Sequence, residues 1–140
     1  MTRQLTWLDR VISGAERALR TCAPGSTHSR GPTPGAELPD TMLSADTDDR
    51  QLQHAAGLMR VNHTGEVCAQ ALYEGQAATA KLADVRGQMQ EAAREEQDHL
   101  AWCETRLREL YSRPSALNPL FYSASFVLGA LAGAVGDRLS

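Results

Sequence analysis

The chain has 140 residues, the size of one ordinary domain, with 42% apolar and 22% charged residues and a formal net charge of −3. Fourteen basic residues against seventeen acidic ones, with no run of Lys or Arg, exclude nucleic acid as a partner and electrostatic capture by an anionic membrane. Cys22, Cys68 and Cys103 are odd in number and show neither a CxxC nor a zinc spacing, which argues against a disulfide scaffold and fits a reducing compartment.

From the N-terminus, Asp9, Arg10, Glu16 and Arg17 interrupt any apolar core of a signal peptide. Five arginines against two acids in the first 35 residues resemble a mitochondrial transit peptide, although Asp9 and Glu16 weaken the likeness. Leu5, Leu8, Ile12, Ala15 and Leu19 recur at helical steps, so residues 1–20 are predicted as a short amphipathic helix that docks on something. Residues 21–44 mix Pro24, Gly25, Gly31, Pro32, Pro34, Gly35 and Pro39 with Ser and Thr, a flexible arm by composition.

The remaining segment, 45–140, is predicted as the main domain. Ser44, Asp46, Asp48 and Asp49 suit a helix start. Steps of three and four from Leu52 then trace Ala56, Met59, His63, Glu66, Gln70, Tyr73, Ala77 and Ala80 on one face. After a break at 82–84, the same stepping gives Met89, Ala92, Glu96, His99, Cys103 and Leu110, and Arg113-Pro114 is the expected end of that helix. From Pro114 to Gly136 there is no charge, a length that reaches a bilayer span. Asn118, Pro119 and the Gly/Ala steps fit an interfacial or bundle-docked helix equally well. No β pattern competes, so the class is all-α.

A carboxylate inside an apolar stripe is expensive unless protonated, paired or metal-bound. Glu96 and His99 form a Glu-x-x-His step that places both on one helical face, and Glu66 can add a carboxylate from the neighbouring helix. Carboxylate plus imidazole suits iron or manganese, and di-metal bundles take one Glu from each of two helices and Glu-x-x-His from two others. Glu66, Glu96 and His99 are half of that set. Glu91, Glu95 and Asp98 read as a solvated face, His63 as a core histidine or a partner of the site, and Tyr73, Cys103, Trp7 and Trp102 as packing groups.

The run Gly57-Leu-Met-Arg-Val-Asn-His-Thr-Gly-Glu-Val-Cys-Ala-Gln70, then Glu95-Glu-Gln-Asp-His-Leu-Ala-Trp-Cys103 and Arg113-Pro-Ser-Ala-Leu-Asn-Pro119, resembles the demethoxyubiquinone hydroxylase family over roughly residues 45–140. The resemblance implies a ferritin-like helical bundle, of which the chain holds the first half: two long ligand helices plus an apolar helix. It implies a di-iron monooxygenase of ubiquinone biosynthesis acting on a polyprenylated methoxy-benzoquinol, with two iron ions per complete site, O2 as co-substrate and an external reductant. Glu66 and Glu96 are then iron-binding carboxylates, with Glu96 suited to bridging, and His99 ligates one iron; no catalytic residue is expected beyond these ligands. Partners so implied are the quinol, a membrane surface, other ubiquinone-biosynthesis proteins and a second copy of the chain. The expected place is peripheral, on the cytoplasmic face of a bacterial inner membrane, with the mitochondrial inner membrane as alternative.

The sequence departs from this pattern, because a second Glu and a second Glu-x-x-His should follow the apolar stretch and Ser140 comes first. The expectation is an N-terminal fragment of a longer enzyme, or else two copies completing the set by symmetry. Two other classes stay open. One is a non-catalytic helical membrane-interaction module, with stripe carboxylates paired to Arg60 or Arg106; the other is a ferritin-like metal protein of different redox activity.

Overall fold

A computed structural model describes residues 6–23, 25–34 and 48–136. As the periodicity predicts, the described residues form helices without strands: α1 (Trp7–Cys22), α2 (Asp49–Thr79), α3 (Ala83–Glu109) and α4 (Asn118–Gly136). Thr6 and Asp9 close a capping box on α1, with the Thr6 N–H donating to Asp9 Oδ2 at 2.8 Å and the Asp9 N–H donating to Thr6 Oγ1 at 3.2 Å. The expected caps Ser44 and Asp46 lie outside the described residues; Asp48 caps α2 by accepting the Arg50 N–H at 3.3 Å.

α2 is the central helix, packed on α3 and α4. Val67, Ala71, Leu100 and Tyr122 form the core, against which Ala18 and Cys22 of α1 and Phe126 of α4 rest. Leu8, Ile12, Ala15 and Leu19, four of the five residues of the expected docking stripe of α1, are exposed, and the fifth, Leu5, lies outside the described residues. Between α1 and α2, residues 25–34 carry no helix or strand, and two points tie them to α3. The Gly25 N–H donates to Glu104 Oε2 at 3.0 Å, and Arg30 binds Asp98 through its N–H at 2.8 Å and its Nε at 3.1 Å. Asp98 is therefore an anchor for this segment rather than a free solvated acid.

At the α2–α3 corner, the last carbonyls of α2 lack intrahelical partners, and Arg86 Nη2 donates to Ala80 O at 2.8 Å. The far end of α3 differs from expectation. The helix stops at Glu109, ahead of Arg113-Pro114, because Tyr111 adopts φ 51° and reverses the chain. The Tyr111 N–H then donates to Arg108 O at 3.0 Å and the Ser112 N–H to Leu107 O at 2.8 Å, the two bonds of a Schellman cap. Glycine is the usual residue there, since a left-handed L-residue costs about 1–2 kcal/mol. Tyr111 is 91% exposed and loses little packing on removal. Tyr111→Gly should therefore stabilise the fold by about 1 kcal/mol, read as a raised midpoint in urea.

α4 meets α2 backbone to backbone. A Cβ at Gly129 would overlap the Leu72 carbonyl, one at Gly75 the Phe126 carbonyl, and one at Gly133 the Thr79 hydroxyl. That hydroxyl donates to Ala130 O at 2.8 Å. A buried polar node reinforces the contact: Glu74 accepts from Tyr122 Oη at 2.7 Å and Gln70 Nε2 at 3.1 Å, and pairs with Arg17 Nε of α1 at 3.6 Å. The other side of α4 exposes Leu120, Phe121, Val127, Leu128, Leu131 and Val135, and Leu117 just before the helix is exposed as well. By length and composition α4 can cross a membrane, and only 17% of its apolar window is buried.

Candidate metal centre

Glu66 lies midway along α2, and Glu96 and His99 lie one turn apart on α3, so the packing of these two helices decides whether the three meet. They do: one donor atom from each falls within 4.8 Å of the others. His99 Nδ1 is 3.3 Å from Glu96 Oε2 and 3.5 Å from Glu66 Oε2. Both carboxylates are partly buried, with side-chain exposures of 21% for Glu66 and 15% for Glu96, while His99 at 45% faces outward. Val67 and Leu100, the chain neighbours of Glu66 and His99, are fully buried in the core.

Burial, followed by the hydrogen bond and charge of Glu96, pushes the Glu66 carboxyl up to about 7. Two carboxylates thus face each other with one imidazole between them, an arrangement that a cation would relieve. The donor set, two oxygens and one imidazole nitrogen converging on a common point, fits a metal such as iron or manganese. Without metal the folded state holds a proton on Glu66 that the unfolded chain releases near pH 4.5. The contribution of Glu66 to the stability of the metal-free protein is therefore full below that pH and lost as pH rises through about 7, by on the order of 2 kcal/mol once solvent screening of this partly exposed group is allowed for. Glu66→Gln should flatten that slope in denaturant titrations at a series of pH values.

The surroundings continue the same seam. One turn before Glu66, Asn62 Nδ2 donates to Cys103 Sγ at 3.3 Å. Burial and the nearby Glu66 charge raise the Cys103 thiol, keeping it protonated, as the packing role predicted for it requires. Trp102 lies beside His99, ring centroids 5.3 Å apart and tilted by 38°. Its indole N–H is buried and finds no partner among the described residues. The Trp7 side chain lies outside what is described.

Arg60 does not neutralise the stripe. It reaches the end of α3 instead, donating from Nε to Arg113 O at 3.1 Å and from Nη2 to Ser112 Oγ at 2.7 Å. His63 is buried at 1% exposure and faces Glu104. Glu104 and Glu74, both buried acids, escape the sequence reading because their partners Gly25, His63 and Tyr122 come from other segments.

Residues 53–140 match the family model described as ubiquinone biosynthesis protein COQ7. The chain is similar to proteins named 3-demethoxyubiquinol 3-hydroxylase. It is 57% identical to that of Pseudomonas putida (strain GB-1) over 138 residues, covering 99% of this chain and 62% of the relative. The figures are 54% over 139 residues for Alcanivorax borkumensis, covering 99% and 64%, and 56% over 138 residues for Azotobacter vinelandii, covering 99% and 62%. The chain thus spans just under two thirds of the length of these curated relatives. No solved structure matches it.

Proposed function

The chain belongs to the COQ7 family of ubiquinone biosynthesis proteins, and from that premise we propose that it contributes half of a di-iron site for the hydroxylation of a polyprenylated methoxy-benzoquinol. The observation that carries this reading is the convergence of Glu66, Glu96 and His99 within 4.8 Å, two acids and an imidazole otherwise gathered at electrostatic cost. Glu66 and Glu96 would hold iron through carboxylate oxygens and His99 through Nδ1, the nitrogen already turned toward both acids. When bound, iron supplies the O2 chemistry that protein side chains lack.

The reaction in this reading is balanced by an external donor. One atom of O2 enters a ring C–H as hydroxyl, and the other leaves as water with two electrons from the reductant and two protons. The protein's share is placement. Val67 and Leu100 seal the core side of the centre against water, and the outward face at His99 leaves room for the remaining ligands, from further chain or from a second copy. The exposed apolar face of α4 would rest in the membrane interface on the cytoplasmic side of a bacterial inner membrane, where a quinol with a greasy tail is dissolved. Residues 45–140 act in this reading as one domain, with α1 and the arm as attachments.

Quinone profiling of cells deleted for the gene tests the assignment. The quinol lacking one methoxy group should accumulate and ubiquinone should disappear; normal ubiquinone in the deletion strain would overturn the reading. Restoration by the wild-type gene but not by Glu96→Ala/His99→Ala separates a hydroxylase from a membrane-interaction module.

A further inference from the structure

His63 and Glu104 lie between the two ligand helices, buried at 1% and 4% exposure, and the proposed chemistry does not use them. His63 is one turn before Glu66 on α2, and Glu104 is about two turns after Glu96 on α3. His63 Nε2 faces Glu104 Oε1 at 3.7 Å, and the other carboxylate oxygen accepts the Gly25 N–H at 3.0 Å. Burial would raise the Glu104 carboxyl, but His63, the Thr27 hydroxyl and the Gly25 N–H around it outweigh burial and hold it ionised. On the other edge of the ring, the Thr64 hydroxyl donates to Asn118 Oδ1 at 3.0 Å, which turns Asn118 Nδ2 toward His63 Nδ1 at 3.3 Å. With the amide so turned Nδ1 is the acceptor, and Nε2, which makes no hydrogen bond among the described residues, faces the Glu104 carboxylate at ion-pair distance.

As packing alone this cluster is a poor solution, since apolar residues of similar volume often stabilise a buried site as well or better. What it adds is direction. Apolar ridges let one helix slide along another, whereas a polar contact to one atom on the facing helix does not. Register matters here because Glu66 comes from α2 and its two partners from α3; a slide of one residue, about 1.5 Å, would spoil their convergence. We infer that His63, Glu104 and Asn118 are positioning residues that lock α2, α3 and the first turn of α4 in the register bringing Glu66 against Glu96 and His99. The register lock rests on these contacts, and its consequence for the site rests on the metal-centre reading.

The test is the double variant His63→Leu/Glu104→Leu with two readouts beside the melting temperature. One is Co2+ affinity by visible absorption. The other needs no metal: the alkylation rate of Cys103, buried at 7% and held by Asn62 in the same seam, mapped by mass spectrometry. The melting temperature should hold or rise while Co2+ binding weakens by about 10–100-fold. Cys103 should react at least about tenfold faster, as local opening grows. A folded variant with parental Co2+ affinity and parental Cys103 protection overturns the inference. If the double variant does not fold, Glu104→Gln, which keeps an acceptor, should stay near parental while Asn118→Leu loosens both readouts; equal behaviour of the two overturns it. A parent that binds no Co2+, with Cys103 exposed only in the variant, overturns the metal reading and leaves the register inference standing.

Discussion

Glu96→Ala should cut divalent-metal affinity by at least about 100-fold, equivalent to about 2.7 kcal/mol, while leaving the metal-free fold as stable as before or more so. The two signs follow from one geometry. Glu96 touches His99 Nδ1 at 3.3 Å and is the neighbour whose hydrogen bond and charge help to push the Glu66 carboxyl up to about 7. Removing it takes one of three converging donors from the metal and at the same time relieves the repulsion that Glu66 feels without metal. An ordinary structural ion pair would behave in the opposite way, losing stability when one partner is removed. Anaerobic calorimetric titration with Fe2+ beside urea unfolding of the metal-free protein reads both quantities. Glu95→Ala, an exposed neighbour, is the control and should leave both unchanged. Parental affinity in Glu96→Ala would remove Glu96 from the centre.

The convergence of Glu66, Glu96 and His99 was legible in sequence because a charge inside an apolar stripe is a contradiction local to one helix, visible at three- and four-residue steps. Glu66, Glu96 and His99 share that property, and His63 and Cys103, read in the same stripes, are indeed buried. The acids that escaped have partners no local pattern can show. Glu74 is matched by Tyr122, 48 positions away, and Glu104 by Gly25, 79 positions away. The end of α3 was misplaced for a related reason: Pro114 marks the last position a helix can reach, while a left-handed Tyr111, a residue type with no preference for that conformation, stops it earlier. The stripe read along α2 also captures only one edge of its buried surface. Glycine and alanine backbone at Ala71 and Gly75 faces α4, and small residues contribute little to a hydropathy pattern. A signal for that contact was present in Gly129 and Gly133, four residues apart on an uncharged helix, the spacing that lets helix backbones touch.

Gly129→Leu should cost about 3 kcal/mol or more, a large share of the 5–15 kcal/mol that holds a typical domain together. At Gly129 even the first side-chain carbon would overlap the Leu72 carbonyl oxygen, carbon and Cα. Those are backbone atoms that cannot rotate aside, so the whole of α4 must move off α2. The displacement separates the Thr79 hydroxyl from Ala130 O, now at 2.8 Å, and Tyr122 Oη from Glu74 Oε2, now at 2.7 Å. Losing the second contact is the more damaging, because it strips a buried carboxylate of one of its donors, and an acid left short of partners costs far more than the bond itself was worth. Loss of Tyr122 also opens the core it shares with Val67, Ala71 and Leu100, of which Val67 and Leu100 are the chain neighbours of Glu66 and His99. The substitution should therefore lower the thermal midpoint and weaken metal binding together, in contrast to Glu96→Ala, where the two part company. Gly87→Ala is the matching control: it lies in α3 with nothing within 4 Å of the added carbon, and should gain up to about 1 kcal/mol from helix propensity. Circular dichroism melts of both variants decide it, and a Gly129→Leu chain as stable as the parent would show that α4 does not pack on α2 at this closeness.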